Sequence, residues 1–180
     1  MSPVIFLNGL VALTLAMGVG ASISEAKGSH RDHGDRKGPV RATAEIEGCT
    51  DPNIFGTAQL TEEKTEEGVK EVKVMMMVKG LEPGKHAVHI HQTASCEATP
   101  ATQTTSSIPC GKAGGHFDPG PYGFTNPDGN HPFHSGDLIN IEANRRGNAH
   151  LNTTTTRVTL SPGPLSLDDV DGSAFIVHVN

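Results

Sequence analysis

The sequence predicts an all-β fold, a sandwich or a barrel, and three observations carry that prediction. Short runs in which apolar and polar residues alternate at period two are separated by turns rich in Gly and Pro. Beyond the first 26 residues, no segment repeats its apolar positions at the helical period. Composition agrees: Gly 21, Pro 12, no Trp and one Tyr suit a turn-rich β domain better than a helical one. A chain of 180 residues is long enough for one domain with a core of its own.

Residues 1–26 differ in kind. Val4–Ala21 is almost wholly apolar or small, interrupted by Asn8, and Ser24 and Ala26 stand at the −3 and −1 positions of a cleavage site. This reads as a signal peptide, and hence as export to a periplasmic or extracellular compartment. No Lys or Arg precedes the apolar run, and its 18 residues reach the lower edge of a spanning helix, so an uncleaved anchor is the alternative. Residues 27–39 show no periodicity and read as a flexible linker in which His30 and His33 are solvated. The domain proper is expected to occupy residues 40–180.

From Val40 the elements follow in order. Val40, Ala42, Ala44 and Ile46 share one face of a half-buried strand, with Arg41, Thr43, Glu45 and Glu47 on the other. A second strand is expected at Ile54–Thr61. After a turn at 66–68 comes Lys70–Lys79, with Val72, Val74, Met76 and Val78 inward. Glu82-Pro83-Gly84 turns the chain into a strand over His86–His91. Asp137–Asn144 is expected as a strand with Ile139, Ile141 and Ala143 inward. Arg145-Arg146-Gly147 is a tight turn, and Asn148–Thr155 and Arg157–Leu160 continue extended. Ser161-Pro162-Gly163-Pro164 cannot be regular structure, and Ser173–Val179 is the last strand. Residues 92–136 are too long for an ordinary connection, and loops of that length in compact domains are usually functional.

That loop and its flanks hold most of the chemistry. Six of the ten histidines lie within Lys85–Asp137. His89 and His91 are two apart on a strand and so present two imidazoles on one side. His116, His131, His134 and Asp137 follow, and His178 closes the last strand. Imidazole suits copper and zinc, and a carboxylate completes a zinc-type ligand set. His86 has the opposite parity to His89 and His91 and is read as a hydrogen-bonded structural histidine. Met75-Met76-Met77 cannot converge on one ion, because successive strand residues point to opposite faces; they are expected as core and surface filler. The net charge is −6 with basic residues dispersed, which gives no footprint for a nucleic-acid partner.

The blocks His86-Ala87-Val88-His89-Ile90-His91, Gly115-His116-Phe117-Asp118-Pro119, His134-Ser135-Gly136-Asp137-Leu138 and Ile176-Val177-His178 resemble those of the copper/zinc superoxide dismutases, in the family's order. The resemblance implies a Greek-key β-barrel or sandwich of the immunoglobulin-like type, with a long metal-binding loop. It implies copper held by His89, His91, His116 and His178, and zinc held by His116, His134 and Asp137. His116 is then the imidazolate shared by both metals and the carrier of a proton to the product. Where many relatives carry a His-Gly pair as the fourth zinc ligand, this chain has Tyr122-Gly123, and His131 is the replacement assigned; a three-ligand site or Tyr122 is the alternative. The implied substrate is superoxide, and the family likeness allows a homodimer, with no stable membrane partner once the leader is cleaved.

Two departures accompany the likeness. The sequence ends just after His178, where the family continues with an arginine beside the copper, a disulfide cysteine and a final strand, so the chain is expected to be incomplete at its C-terminus, with a naturally short variant as the alternative. Cys49, Cys96 and Cys110 are odd in number, which leaves one unpaired. The family pairs a cysteine near Cys96 with its C-terminal segment; here Cys96 with Cys110, or Cys49 with either, stays open. A second reading of function therefore stands beside the first: an exported copper- or zinc-binding β domain with little dismutase activity.

Overall fold

Alternation decides which face of each strand is buried, and the computed structural model, which describes residues 5–8, 38–120 and 133–178, follows the alternating pattern closely. Ile5–Asn8 forms β1. In β2 (Val40–Gly48), Ala44 and Ile46 are buried, with Val40 and Ala42 packed at the margin. β3 (Phe55–Lys64) turns Ala58, Leu60 and Glu62 inward. In β4 (Lys70–Lys79), Val72, Val74, Met76 and Val78 are at most 1% exposed, whereas Lys73, Met75, Met77 and Lys79 face solvent. Each such fully buried apolar side chain contributes about 1.5–3 kcal/mol relative to exposure, so this row is a substantial part of the core.

The predicted strand over His86–His91 divides at Ala87 into β5 (Gly84–His86) and β6 (Val88–His91). β7 (Ile141–Ala143), β8 (Ala149–Thr155) and β9 (Ala174–Val177) complete the set, with a three-residue 3-10 turn at Gly111–Ala113. Seven strands form one sheet in the order β6-β9-β1-β2-β3-β4-β8, and β5 pairs with β7 in a second. β9, last among the described strands, lies beside β1, the non-sequential return that defines a Greek key. β5 runs directly into β6 and β7 turns back into β8, so the small sheet bridges the two edge strands of the large one.

Two strand expectations need correction. Ile139 was expected inward, but it is 56% exposed, and only Ile141–Ala143 of the predicted Asp137–Asn144 strand is regular. The cause is local: Asp137 is bridged to His89 and Leu138 donates its N–H to the Val88 carbonyl, so the preceding backbone serves the site and not a ladder. Arg157–Leu160 is not a strand; its extended register is broken after Thr155, and Thr159 instead bridges to Ser166. Of residues 1–26, only Ile5–Asn8 is described, extended between β2 and β9 with Ile5 opposite both Gly48 and Val177.

Glu62 is a charged residue in the core, 5% exposed. Its carboxylate accepts from the backbone N–H groups of Leu160 and Ser161 and from the Ser161 hydroxyl (2.5 Å), with Lys70 at 3.9 Å. Burial pushes its carboxyl up, but these donors outweigh burial and hold it below the ordinary glutamate value. One side chain thus satisfies the irregular segment that follows β8.

Candidate metal centre

β6 presents His89 and His91 on the side opposite Val88 and Ile90, which are buried in the core. His116 arrives from the long loop through an isolated bridge to His91, and His178 follows directly on β9, its N–H donated to the Ala87 carbonyl at 2.9 Å. Two glycines permit this convergence. Gly114 takes φ 78°, and a side chain at Gly136 would meet the Ile90 carbonyl oxygen at 2.3 Å. The Cys49–Cys110 disulfide, with Cα atoms 6.0 Å apart, ties the end of β2 to the residues just before His116. Cys96 is the free, half-buried thiol, pushed up by burial and by Glu47. Of the pairings left open by the sequence, this is the one formed.

The rings pack closely: centroids lie 4.0 Å apart for His89 and His116, 4.9 Å for His89 and His178, and 5.0 Å for His91 and His116. One nitrogen each of His89, His91, His116 and His178 falls within 4.8 Å of all the others. Three of these rings carry a buried nitrogen with no hydrogen-bond partner among the described residues: His89 Nδ1, His91 Nε2 and His178 Nε2. His91 donates Nδ1–H to the Gly114 carbonyl at 2.9 Å, so its Nε2 bears a bare lone pair. Burial, then the neighbouring imidazoles, lower His89 and His91 to about 4 and lower His178 as well. Buried imidazole nitrogens without protein partners, gathered this closely, suit the binding of a cation.

A second set lies on the far side of His116. Its Nδ1–H donates to Asp137 Oδ1 at 2.6 Å, and His134 Nδ1 lies 3.6 Å from Asp137 Oδ2. His116, His134 and Asp137 again place their ligand atoms within 4.8 Å of one another. Burial raises the Asp137 carboxyl, but bonds from the His134 backbone and the His116 ring prevail and hold it low. His116 is the one residue common to both sets, with Nδ1 committed to Asp137 and Nε2 left for the other side. Copper suits the four-imidazole set, and zinc suits the set that adds a carboxylate.

Of the site residues read from the sequence, His89, His91, His116, His178, His134 and Asp137 converge. His131 and Tyr122 lie outside the described residues. His86 takes no part: it is 1% exposed, its two ring nitrogens lie against the carbonyls of His178 (2.7 Å) and Glu82 (2.8 Å), and it braces the site from the core side. Two supports were missed in the sequence. Arg157 donates to the Asp137 carbonyl while lying over the Phe133 ring, 4.6 Å from its centroid. Asp118, 1% exposed, accepts from the Ser135 hydroxyl at 3.2 Å and so joins the His116 turn to the His134 turn. No local pattern marks Arg157, whose partner is 20 residues away.

Known proteins of similar sequence point the same way. The family described as copper/zinc superoxide dismutase matches residues 54–180. A copper/zinc superoxide dismutase of Deinococcus radiodurans is 38% identical over 112 residues, 60% of this chain and 58% of the relative. One from Escherichia coli strain K12 is 37% identical over 103 residues, covering 57% and 54%. The chain thus spans little more than half the length of these curated relatives. Among solved structures, the clock protein EA4 superposes with a TM-score of 0.53 at 22% identity, over 77% of this chain and 74% of that one; at that identity it speaks for the fold alone.

Proposed function

The chain belongs to the copper/zinc superoxide dismutase family, and from that premise we propose that it converts superoxide to oxygen and hydrogen peroxide. The observation that carries the reading is His116, whose ring joins a four-imidazole set to a set with a carboxylate. His89, His91, His116 and His178 would hold copper; His116, His134 and Asp137 would hold zinc, with His131 as the fourth ligand. Copper, when bound, supplies a one-electron cycle in which one superoxide is oxidised to oxygen and a second is reduced, while redox-silent zinc supplies fixed charge. Two superoxide ions and two protons thereby give one oxygen and one peroxide. His116 Nε2 is the atom that takes up a proton and passes it on, since Nδ1 is engaged on the Asp137 side. The Gly114 carbonyl sets the tautomer of His91, and Arg157 and Asp118 keep the two turns in register.

Export to a periplasmic or extracellular space, after removal of residues 1–26, is part of the same proposal. A Cys49–Cys110 disulfide supports it, because such bonds persist in oxidising compartments.

Superoxide consumption by the copper- and zinc-loaded chain tests the proposal. A rate no better than that of a chain with both His89→Ala and His91→Ala would overturn it, and tight stoichiometric metal binding at that background rate would leave a metal-binding domain instead. Metal titrations test the bridge: His116→Ala should weaken both metals, His178→Ala mainly copper, and Asp137→Ala mainly zinc. Loss of only one metal in His116→Ala would remove the shared ligand from the mechanism.

A further inference from the structure

We propose that the outer face of the large sheet carries a second metal site, apart from the histidine centre, at which Met75, Met77 and His150 take one soft monovalent cation, Cu(I). Strand register places the residues. Glu45 pairs with Thr57, Thr57 with Met77, and Met77 with His150, one straight row across β2, β3, β4 and β8. The neighbouring row, Ala58, Met76 and Leu151, is buried at 0%, 1% and 3%, so the row through Met77 must point outward. Met75 lies two residues from Met77 and shares its face; the two are 41% and 52% exposed. His150 is exposed as well.

Paired positions on adjacent strands stand about 5 Å apart, and positions i and i+2 about 7 Å apart. A methionine has three rotatable bonds beyond Cα, enough for two thioethers and the imidazole to close on one ion. Two thioether sulfurs with one imidazole form a soft donor set, which selects Cu(I) over zinc, magnesium or calcium. The consecutive triplet could not do this, because Met76 faces the core; the site needs a histidine contributed by a strand more than 70 residues later. Glu45 and Glu47 add negative charge to this face, while Lys73 and Lys79 flank the methionines and Lys79 lies over the Phe55 ring at 5.8 Å. That balance disfavours a multiply charged ion held by charge alone and leaves the sulfur bonds to decide. The inference does not rest on the dismutase reading.

The test uses the full chain with Cys96→Ser, which removes the competing thiol, and with zinc saturating the histidine centre. Ag(I) serves as a redox-inert stand-in for Cu(I), followed by NMR of 13C-methyl methionine. The methyl signals of Met75 and Met77 and the ring signals of His150 should move together and saturate at one equivalent, with Met76 unmoved. Met75→Leu, Met77→Leu and His150→Asn should each weaken Ag(I) by at least about tenfold, or ~1.4 kcal/mol. Methyl signals that ignore Ag(I), or an affinity unchanged in His150→Asn, would overturn the site. So would variants that alter self-association with Ag(I) affinity intact, since the face would then be an apolar contact between chains.

Discussion

The β2–β3–β4–β8 ladder and the histidine centre are ordered by opposite means. The ladder closes on itself: its inward residues are apolar, its backbone pairs run without a break from Phe55↔Lys79 to Lys64↔Lys70, and its one buried carboxylate is fully bonded. The centre brings polar rings together and leaves His89 Nδ1, His91 Nε2 and His178 Nε2 buried without partners among the described residues. The first needs only water to exclude, whereas the second offers its unpartnered nitrogens to a metal ion. Buried unpaired polar atoms cost about 1–3 kcal/mol each, so the centre draws on stability that the ladder provides.

Removing metal should separate the two regions most strongly. A chain loaded at about a thousand times Kd gains about 4 kcal/mol, equivalent to a Tm roughly 10 °C higher for this size. Hydrogen exchange should show residues 88–91, 114–118 and 134–138 losing protection on chelation while β3 and β4 hardly change. Equal loss in both regions would erase the distinction. Truncating Met76→Ala should cost about 2–5 kcal/mol in urea unfolding, with or without metal, because the cavity lies in the ladder.

Glu62→Gln is expected to be smaller, about 1–3 kcal/mol, since only part of the bonding to Leu160 and Ser161 is lost. A cost that depended on metal would tie this carboxylate to the centre. Acid sharpens the comparison further. His89 and His91 stay neutral in the folded chain down to about 4 but accept protons when unfolded from about 6.5. Metal-free stability should therefore be full above 6.5 and fall as pH drops toward 4. Glu62 is held below 4.5, so its contribution is present above 4.5 and fades only at lower pH. Urea midpoints measured against pH should show two legs, the upper abolished by His89→Gln with His91→Gln and the lower by Glu62→Gln.

The strands were legible because their signal is local. Val72, Val74, Met76 and Val78 alternate with polar or flexible neighbours, and that period alone sets which face is buried. The same period paired His89 with His91 and set His86 apart from them. It failed at Ile139, where Asp137 and Leu138 are held by partners from β6, and at Arg157–Leu160, where Glu62 draws the backbone out of register.

By itself, then, the sequence determined an all-β domain, the buried face of each main strand, and the residue types able to hold copper and zinc. Tertiary structure alone decided that Cys49 joins Cys110, that Arg157 clamps Asp137, and that Met77 pairs with His150. The physical reason is range: periodicity is written in residues one or two apart, whereas these pairings depend on how the sheet brings distant strands and loops side by side.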